Sequence, residues 1–358
     1  MKKLTSRERI LRTFRHQDVD RIAMADYPWK GTLQRWKKEG LSENTDWRDL
    51  LGFDKTEQIL PDISPRFEYR VLEETDRYRI VTTSWGETRK EFKEMDSTPQ
   101  SLDFYCNSSD RWEETKARMK TYYENRIPWD KLRHEYPKWK ADSRFLRLEF
   151  WMGFDATHSF MTGFESAMIA IHEEPEWLMD VFDTQLTVML DLFQKILDEG
   201  YEFDGIYWWD DMGYKGSTFF SPQTYRGFLK PYHKRACDWA HERGLTVELH
   251  SCGFIEPLIP DLIDIGVEML NPLEIKAGMD PAKLKKLYGD QLAFHGGINA
   301  QTMHDPEKVR AEMERIIPLM MEGGGYVFAC DHSIPNTVSL EQMKFISDLA
   351  HKLGTYKG

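Results

Sequence analysis

From about residue 144 onward, short apolar runs alternate with longer segments whose apolar residues recur every three or four positions. That is the pattern of parallel strands joined by crossover helices. The apolar runs predict strands at 145–150, 203–209, 245–250, 267–270, 292–295 and 326–330. The amphipathic segments predict helices at 175–199, 223–243, 255–265, 281–287, 306–321 and 340–353. Val309, Met313, Ile316, Ile317 and Met320 illustrate the stripe, since their spacing puts all five on one helical face.

Upstream, residues 4–16 have helical spacing at Ile10, Leu11 and Phe14, with Ser6 as the expected N-cap, and Arg21–Ala25 forms a short strand. Between about 30 and 140 the chain is polar, Trp-rich and irregular, with a hairpin expected around Ser84, Trp85 and Gly86 that joins YRIVTT to TRKEFKE. Its strands alternate instead of forming buried runs, so the segment is expected to elaborate the main sheet. Six strands, Arg21–Ala25 and one more from before residue 140 make eight. The expected fold is therefore α/β: a (β/α)8 TIM barrel with an N-terminal elaboration, one domain over 1–358. An open doubly wound sheet is the alternative. The G-x-G-x-x-G fingerprint of dinucleotide binding is absent, and Gly323, Gly324 and Gly325 precede a strand, where a tight turn explains them.

Composition narrows the function classes. With 41% hydrophobic residues the chain has material for a large core, and its net charge of -12 disfavours polyanions, so no nucleic-acid partner is expected. No apolar stretch is long enough to span a membrane and the N-terminus has no signal-peptide core, which gives a cytoplasmic expectation. Four widely spaced cysteines do not make a disulfide framework. They are free to act as ligands.

The strongest constellation is His250-Ser251-Cys252, which ends the run LTVELHSCG. Alternate residues of a strand point to one side, so imidazole and thiolate can converge at the strand's C-terminal end. Cys330 closes the run GYVFAC at another strand end, and in a barrel such ends surround one mouth. Three ligands of this kind that leave a fourth position open describe a catalytic zinc site, with Glu274 as the candidate occupant of that position in the resting state. The competing explanation is that Cys is often buried as a small hydrophobe. Asp210 and Asp211 end the run GIYWWDD and serve either as acid, base and orienting groups or as caps of the following turn. His295, in FHGGIN, either braces a ligand or substitutes for one, and Tyr207, Trp209, His295 and Asn299 are the candidate pocket residues. Gly296 and Gly297 fit either a close backbone approach or a tight turn. Cys106 and Cys237 have no partner at metal spacing and are expected to be structural.

The opening LTSRERILRTFRHQDVDRIAMAD, together with ELHSCGFIEPLIPDLIDIGVEMLNPLE, AFHGGIN and GGGYVFACDHSIPN, resembles the uroporphyrinogen decarboxylase superfamily, and specifically its zinc-dependent, corrinoid-linked methyltransferase branch. The resemblance covers more than half of the chain. It implies that His250, Cys252 and Cys330 hold Zn2+, with Glu274 between them as in the related cobalamin-independent methionine synthases. The segment DHSIPN is similar to one that carries a family histidine, which makes His332 a site residue. The decarboxylases hold their porphyrinogen with an arginine-rich stretch, whereas DYPWKGTLQRW lacks those arginines. There is no D-x-H-x-x-G cobalamin signature, so the implied corrinoid is carried by a separate protein that docks over the mouth. The expected activity is methyl transfer between that corrinoid protein and a small thiol, methyl ether or alcohol. A lyase acting on another small acid and a non-catalytic corrinoid- or tetrapyrrole-binding barrel are the alternatives.

Overall fold

The computed structural model describes residues 3–93 and 98–356. The apolar runs form eight parallel strands: β1 (Ala23–Met24), β2 (Thr56–Ile59), β3 (Phe145–Trp151), β4 (Gly205–Trp209), β5 (Thr246–His250), β6 (Met269–Asn271), β7 (Ala293–His295) and β8 (Tyr326–Phe328). Neighbours in the sheet follow chain order from β2 to β8, with β1 beside β8, the succession of a (β/α)8 barrel. Helices cover the outside. All five residues of the stripe in Pro306–Met321 are buried, as the spacing predicts.

β1 and β2 end that order, and no ladder among the described residues joins them. Asp54, just ahead of β2, closes the gap. Its amide donates to the Met24 carbonyl at 2.7 Å, and its carboxylate accepts from the Met24 amide at 2.9 Å. Arg21 Nη1 lies 2.9 Å from the same carboxylate and Arg9 also pairs with it, so the seam is a buried ionic clasp.

The elaboration contains a four-stranded antiparallel meander, Arg70–Glu74, Tyr78–Thr82, Glu87–Phe92 and Gln100–Phe104. The expected hairpin is its central pair; Glu94, the last residue of the run TRKEFKE, lies outside the described residues. Helices Lys30–Lys38, Trp112–Lys120 and Trp129–Ala141 also fall in this region.

Some local expectations need correcting. The N-cap of the first helix, Ser6–Phe14, is Thr5: its hydroxyl accepts from the Glu8 amide at 3.2 Å while the Glu8 carboxylate accepts from the Thr5 amide at 2.9 Å. Ser6 Oγ instead accepts from the Lys55 amide at 3.0 Å. The helix expected at 223–243 is two, Pro222–Phe228 and Lys230–His241, because Pro231 has no N–H to continue the ladder. Pro257 and Pro260 likewise shorten the 255–265 helix to a 3-10 turn and Ile259–Asp264.

Candidate functional site

The C-terminal ends of the strands open into a cavity of about 690 Å³. Strand register sets its wall in two tiers. Trp151, Trp209, His250 and Asn271 are register partners across β3 to β6, and Glu149, Tyr207 and Glu248 form the row beneath.

The lower tier is charged, buried and fully engaged. Arg147 donates to Glu149 Oε1 at 2.7 Å, to Glu248 Oε2 at 3.1 Å and to the Tyr27 hydroxyl at 2.7 Å. Burial alone would lower the Arg147 pKa, but Tyr27 and the two carboxylates hold it above its ordinary value. His295 Nδ1 lies 2.6 Å from Glu248 Oε1 and its Nε2 lies 2.8 Å from the Ala25 carbonyl. Both nitrogens are taken up by neighbouring oxygens, so neither is turned toward the donor group above. Burial would raise Glu248, yet His295 and Arg147 keep it below the usual carboxylate range, whereas burial pushes Glu149 above it.

The upper tier is a convergence of donors. His250 Nδ1 lies 2.6 Å from Asn271 Oδ1 and 2.9 Å from the Tyr207 hydroxyl. Asn271 Nδ2 donates to the His295 carbonyl at 3.1 Å, which turns Oδ1 toward His250 and makes Nδ1 the protonated nitrogen. The Nε2 lone pair is left facing Cys252 Sγ at 3.3 Å. Burial lowers the His250 pKa and so favours the neutral ring. Asp211 completes the group: the ligand atoms of Asp211, His250 and Cys252 all lie within 4.8 Å of one another. Burial, then Asp211 and Glu274, push the Cys252 thiol well above its usual range. Asp211 reaches the group because two glycines let the loops after β4 and β5 touch. A Cβ on Gly253, at φ +84°, would sit 2.2 Å from the Gly213 carbonyl carbon. The contact lets the Phe254 amide donate to the Tyr214 carbonyl at 2.9 Å and the Cys252 amide to Asp211 Oδ1 at 2.6 Å.

Cys330 lines the same cavity but stands outside this group. Its Sγ donates to the His332 carbonyl at 2.5 Å and its amide to Asp26 Oδ2 at 2.8 Å. Burial holds the Asp26 carboxyl up at about 7. His332 lines the cavity and stacks on Trp29 with ring centroids 5.7 Å apart. Tyr207 and Trp209 also line it, together with Trp151.

Three expected site residues are placed elsewhere. Glu274 accepts from the Gly253 amide at 2.5 Å and pairs with Lys276 at 2.9 Å, so it buttresses the Cys252 loop and is not brought to the donor group. Asp210 is fully buried behind the wall, 2.8 Å from His233 Nε2, because alternation along β4 turns position 210 toward the helices when 209 faces inward. Asn299 Oδ1 accepts from the Gln301 amide at 2.9 Å, a turn contact outside the cavity lining. Asp26, Arg147, Glu149, Glu248 and Asn271 escaped the sequence reading. Their signal was present: RLE in β3 and VEL in β5 put charge at alternate positions of strands otherwise apolar on both faces.

The model of the family uroporphyrinogen decarboxylase (URO-D) matches residues 155–353. No curated protein sequence matches the chain. Among solved structures, a methyltransferase from Methanosarcina mazei aligns with TM-score 0.60 and 16% identity over 98% of this chain and 99% of that chain. A vitamin-B12-independent methionine synthase from Listeria monocytogenes aligns at TM-score 0.42 and 11% identity, covering 95% of this chain and 98% of that chain, too distant to carry an argument. The Methanosarcina likeness supports the barrel, and the matched family segment includes His250, Cys252, Asp211 and Cys330. The chain belongs to the uroporphyrinogen decarboxylase family.

Proposed function

We propose that this protein is a zinc-dependent methyltransferase that moves a methyl group between a small substrate, either a thiol or a methyl ether or alcohol, and a corrinoid held by a separate protein. The observation that carries the reading is the donor group of Asp211, His250 and Cys252, with the His250 tautomer fixed by Asn271 so that Nε2 is free. Imidazole, thiolate and carboxylate are the donors zinc prefers. Cys330 is the further ligand proposed from the same cavity, and to serve it must release the His332 carbonyl. Bound zinc would supply a Lewis acid that favours the anionic form of a thiol or alcohol.

The chain's own groups have definable parts in such a reaction. Tyr207 and Asn271 hold the His250 ring against rotation. Asp211 holds the Cys252 backbone through its amide and also presents a carboxylate to the cavity. His332 and Trp29 form part of the cavity rim. A decarboxylase acting on a polycarboxylate is disfavoured, since no arginine is among the residues that line the cavity and three carboxylates, Asp26, Glu149 and Asp211, are.

Elemental analysis of protein expressed with ample zinc is the test. About one zinc per chain is expected, falling to a background level in Cys252→Ala, together with slow thiol-dependent demethylation of free methylcobalamin by the unaltered protein. Absence of zinc from the unaltered protein removes the proposal.

A further inference from the structure

The cavity's walls define the charge of the molecule it takes. Its carboxyl groups, Asp26 after β1, Glu149 on β3 and Asp211 after β4, lie along one half of the ring. Lys131 is the one lysine or arginine among the lining residues, and its ammonium already donates to the Gln58 carbonyl at 3.0 Å and lies 5.4 Å over the Trp139 ring. The strongest cation nearby, Arg147, is beneath the floor with every side-chain nitrogen committed to Glu149, Glu248 and Tyr27. An anionic substrate would leave water for a space with no free guanidinium fork, where Asp211 presents a carboxylate and Arg147 is already matched by Glu149 and Glu248. Both the missing partner and the like charge oppose that transfer.

The remaining wall is aromatic. Trp151 and Trp209 stack with centroids 4.1 Å apart, and Tyr207 meets Trp209 edge-on at 4.8 Å and 84°, so rings from β3 and β4 form a corner. Trp29 follows β1, two places round the ring from β3, so a third indole borders the same cavity. Rings offer a cation their negative faces, and a methylated ammonium, which has little or no hydrogen bonding to satisfy, gains most from such a lining. The chain already uses this chemistry one tier down, where the Arg147 guanidinium lies 4.0 Å over Tyr207 and 5.7 Å over Tyr27.

We infer that the small substrate of this cavity is a cation, with an ammonium group of the quaternary or protonated methylamine class joined to the thiol, hydroxyl or methyl ether on which the proposed chemistry acts. The inference rests on the methyltransferase reading for its site but concerns only the charge and shape of the ligand, which binding measures without turnover. Calorimetric titration of the zinc-analysed protein would compare choline, its neutral isostere 3,3-dimethylbutan-1-ol, and benzoate. Choline is expected to bind at least tenfold more tightly than the neutral isostere, and benzoate not at all. Trp29→Ala, at the exposed rim where the fold does not depend on it, should weaken choline about fivefold or more and leave the isostere nearly unchanged. Glu149→Gln, with thermal unfolding checked alongside, should narrow the gap between choline and the isostere. Equal binding of choline and the isostere, tighter binding of benzoate, or no binding of choline overturns the inference. Zinc present without cation preference leaves the methyltransferase proposal standing, and cation preference without zinc does the reverse.

Discussion

The two tiers of the barrel wall are one strand step apart and have opposite characters. Glu248 and His250 lie on the same strand with their side chains on the same side. Glu248 is enclosed between Arg147 and His295, each charge matched by another, while His250 points its one free nitrogen at a thiol and a carboxylate. Buried charge is tolerated in a barrel core when every partner is present, and such a tier stabilises geometry. In the upper tier an imidazole, a thiol and a carboxylate converge without a fixed cation among their partners, which is the feature the proposed zinc site rests on. The contrast locates function more sharply than burial or polarity does, because both tiers are polar and largely enclosed.

The largest expected effect comes from breaking the lower tier. Arg147→Met leaves Glu149 and Glu248 buried without their shared cation and should cost about 3–5 kcal/mol in urea-induced unfolding. A loss below about 1 kcal/mol would show that the tier is not the matched assembly described here.

Two buried histidines extend the comparison to pH. His295 has an acceptor at each nitrogen within hydrogen-bond distance, whereas His158, packed against Phe154 and Phe164, has the Ser159 hydroxyl 3.3 Å from Nδ1 and the Asp155 carboxylate no nearer than 3.7 Å to Nε2. Burial lowers the His158 pKa to about 4, from 6.5 when exposed. The unfolded chain therefore takes up a proton near pH 6.5 that the folded chain refuses until about pH 4. Its contribution to stability is complete above pH 6.5 and falls away as the pH drops toward 4, by up to about 3 kcal/mol. His158→Phe should flatten that part of the stability curve, and an unchanged slope would contradict the effect assigned to its burial.

Smaller effects test the upper tier. Asn271→Ala frees the His250 ring to turn and should weaken zinc binding about 10- to 100-fold in competition with a chelator, with the fold intact. Cys252→Ala, which removes a half-buried side chain with few contacts, should change the stability of the metal-free protein by less than about 1 kcal/mol while abolishing zinc uptake. A large destabilisation by Cys252→Ala would mean that the upper tier, like the lower, is structural.

How much of this was legible in the chain depends on the residue. The period of two along LTVELHSCG put His250 and Cys252 on one side of a strand end, and the structure has their donor atoms 3.3 Å apart. Asp211 was a candidate without a stated place in the donor group, because its position depends on the contact between Gly213 and Gly253, which lie 40 residues apart in sequence. Glu274 had the right chemistry at a strand end, but no periodicity rule says that Lys276 and the Gly253 amide will claim it first. Most of the fold followed from pattern alone, since long runs such as FLRLEFW and stripes such as that of Pro306–Met321 are buried as their spacing requires. The outer strands of the meander gave no such signal: Arg70–Glu74 is exposed throughout, so neither face carries an apolar rhythm to read.

The clasp at Asp54 has a consequence for how the molecule breathes. Seven joints of the ring are strand ladders, and the eighth is held by Asp54, whose amide bonds the Met24 carbonyl and whose carboxylate is shared by the Met24 amide, Arg9 and Arg21. A ladder loosens bond by bond, whereas partners that share one side chain let go together once it is displaced. The first subglobal opening of the native state should therefore occur at this joint, freeing the first helix and β1 as a single foldon while the wall from β3 to β6, with its donor group, stays closed. In native-state hydrogen exchange the Met24 amide, protected by a side chain, would then exchange ahead of those in β4 and β5.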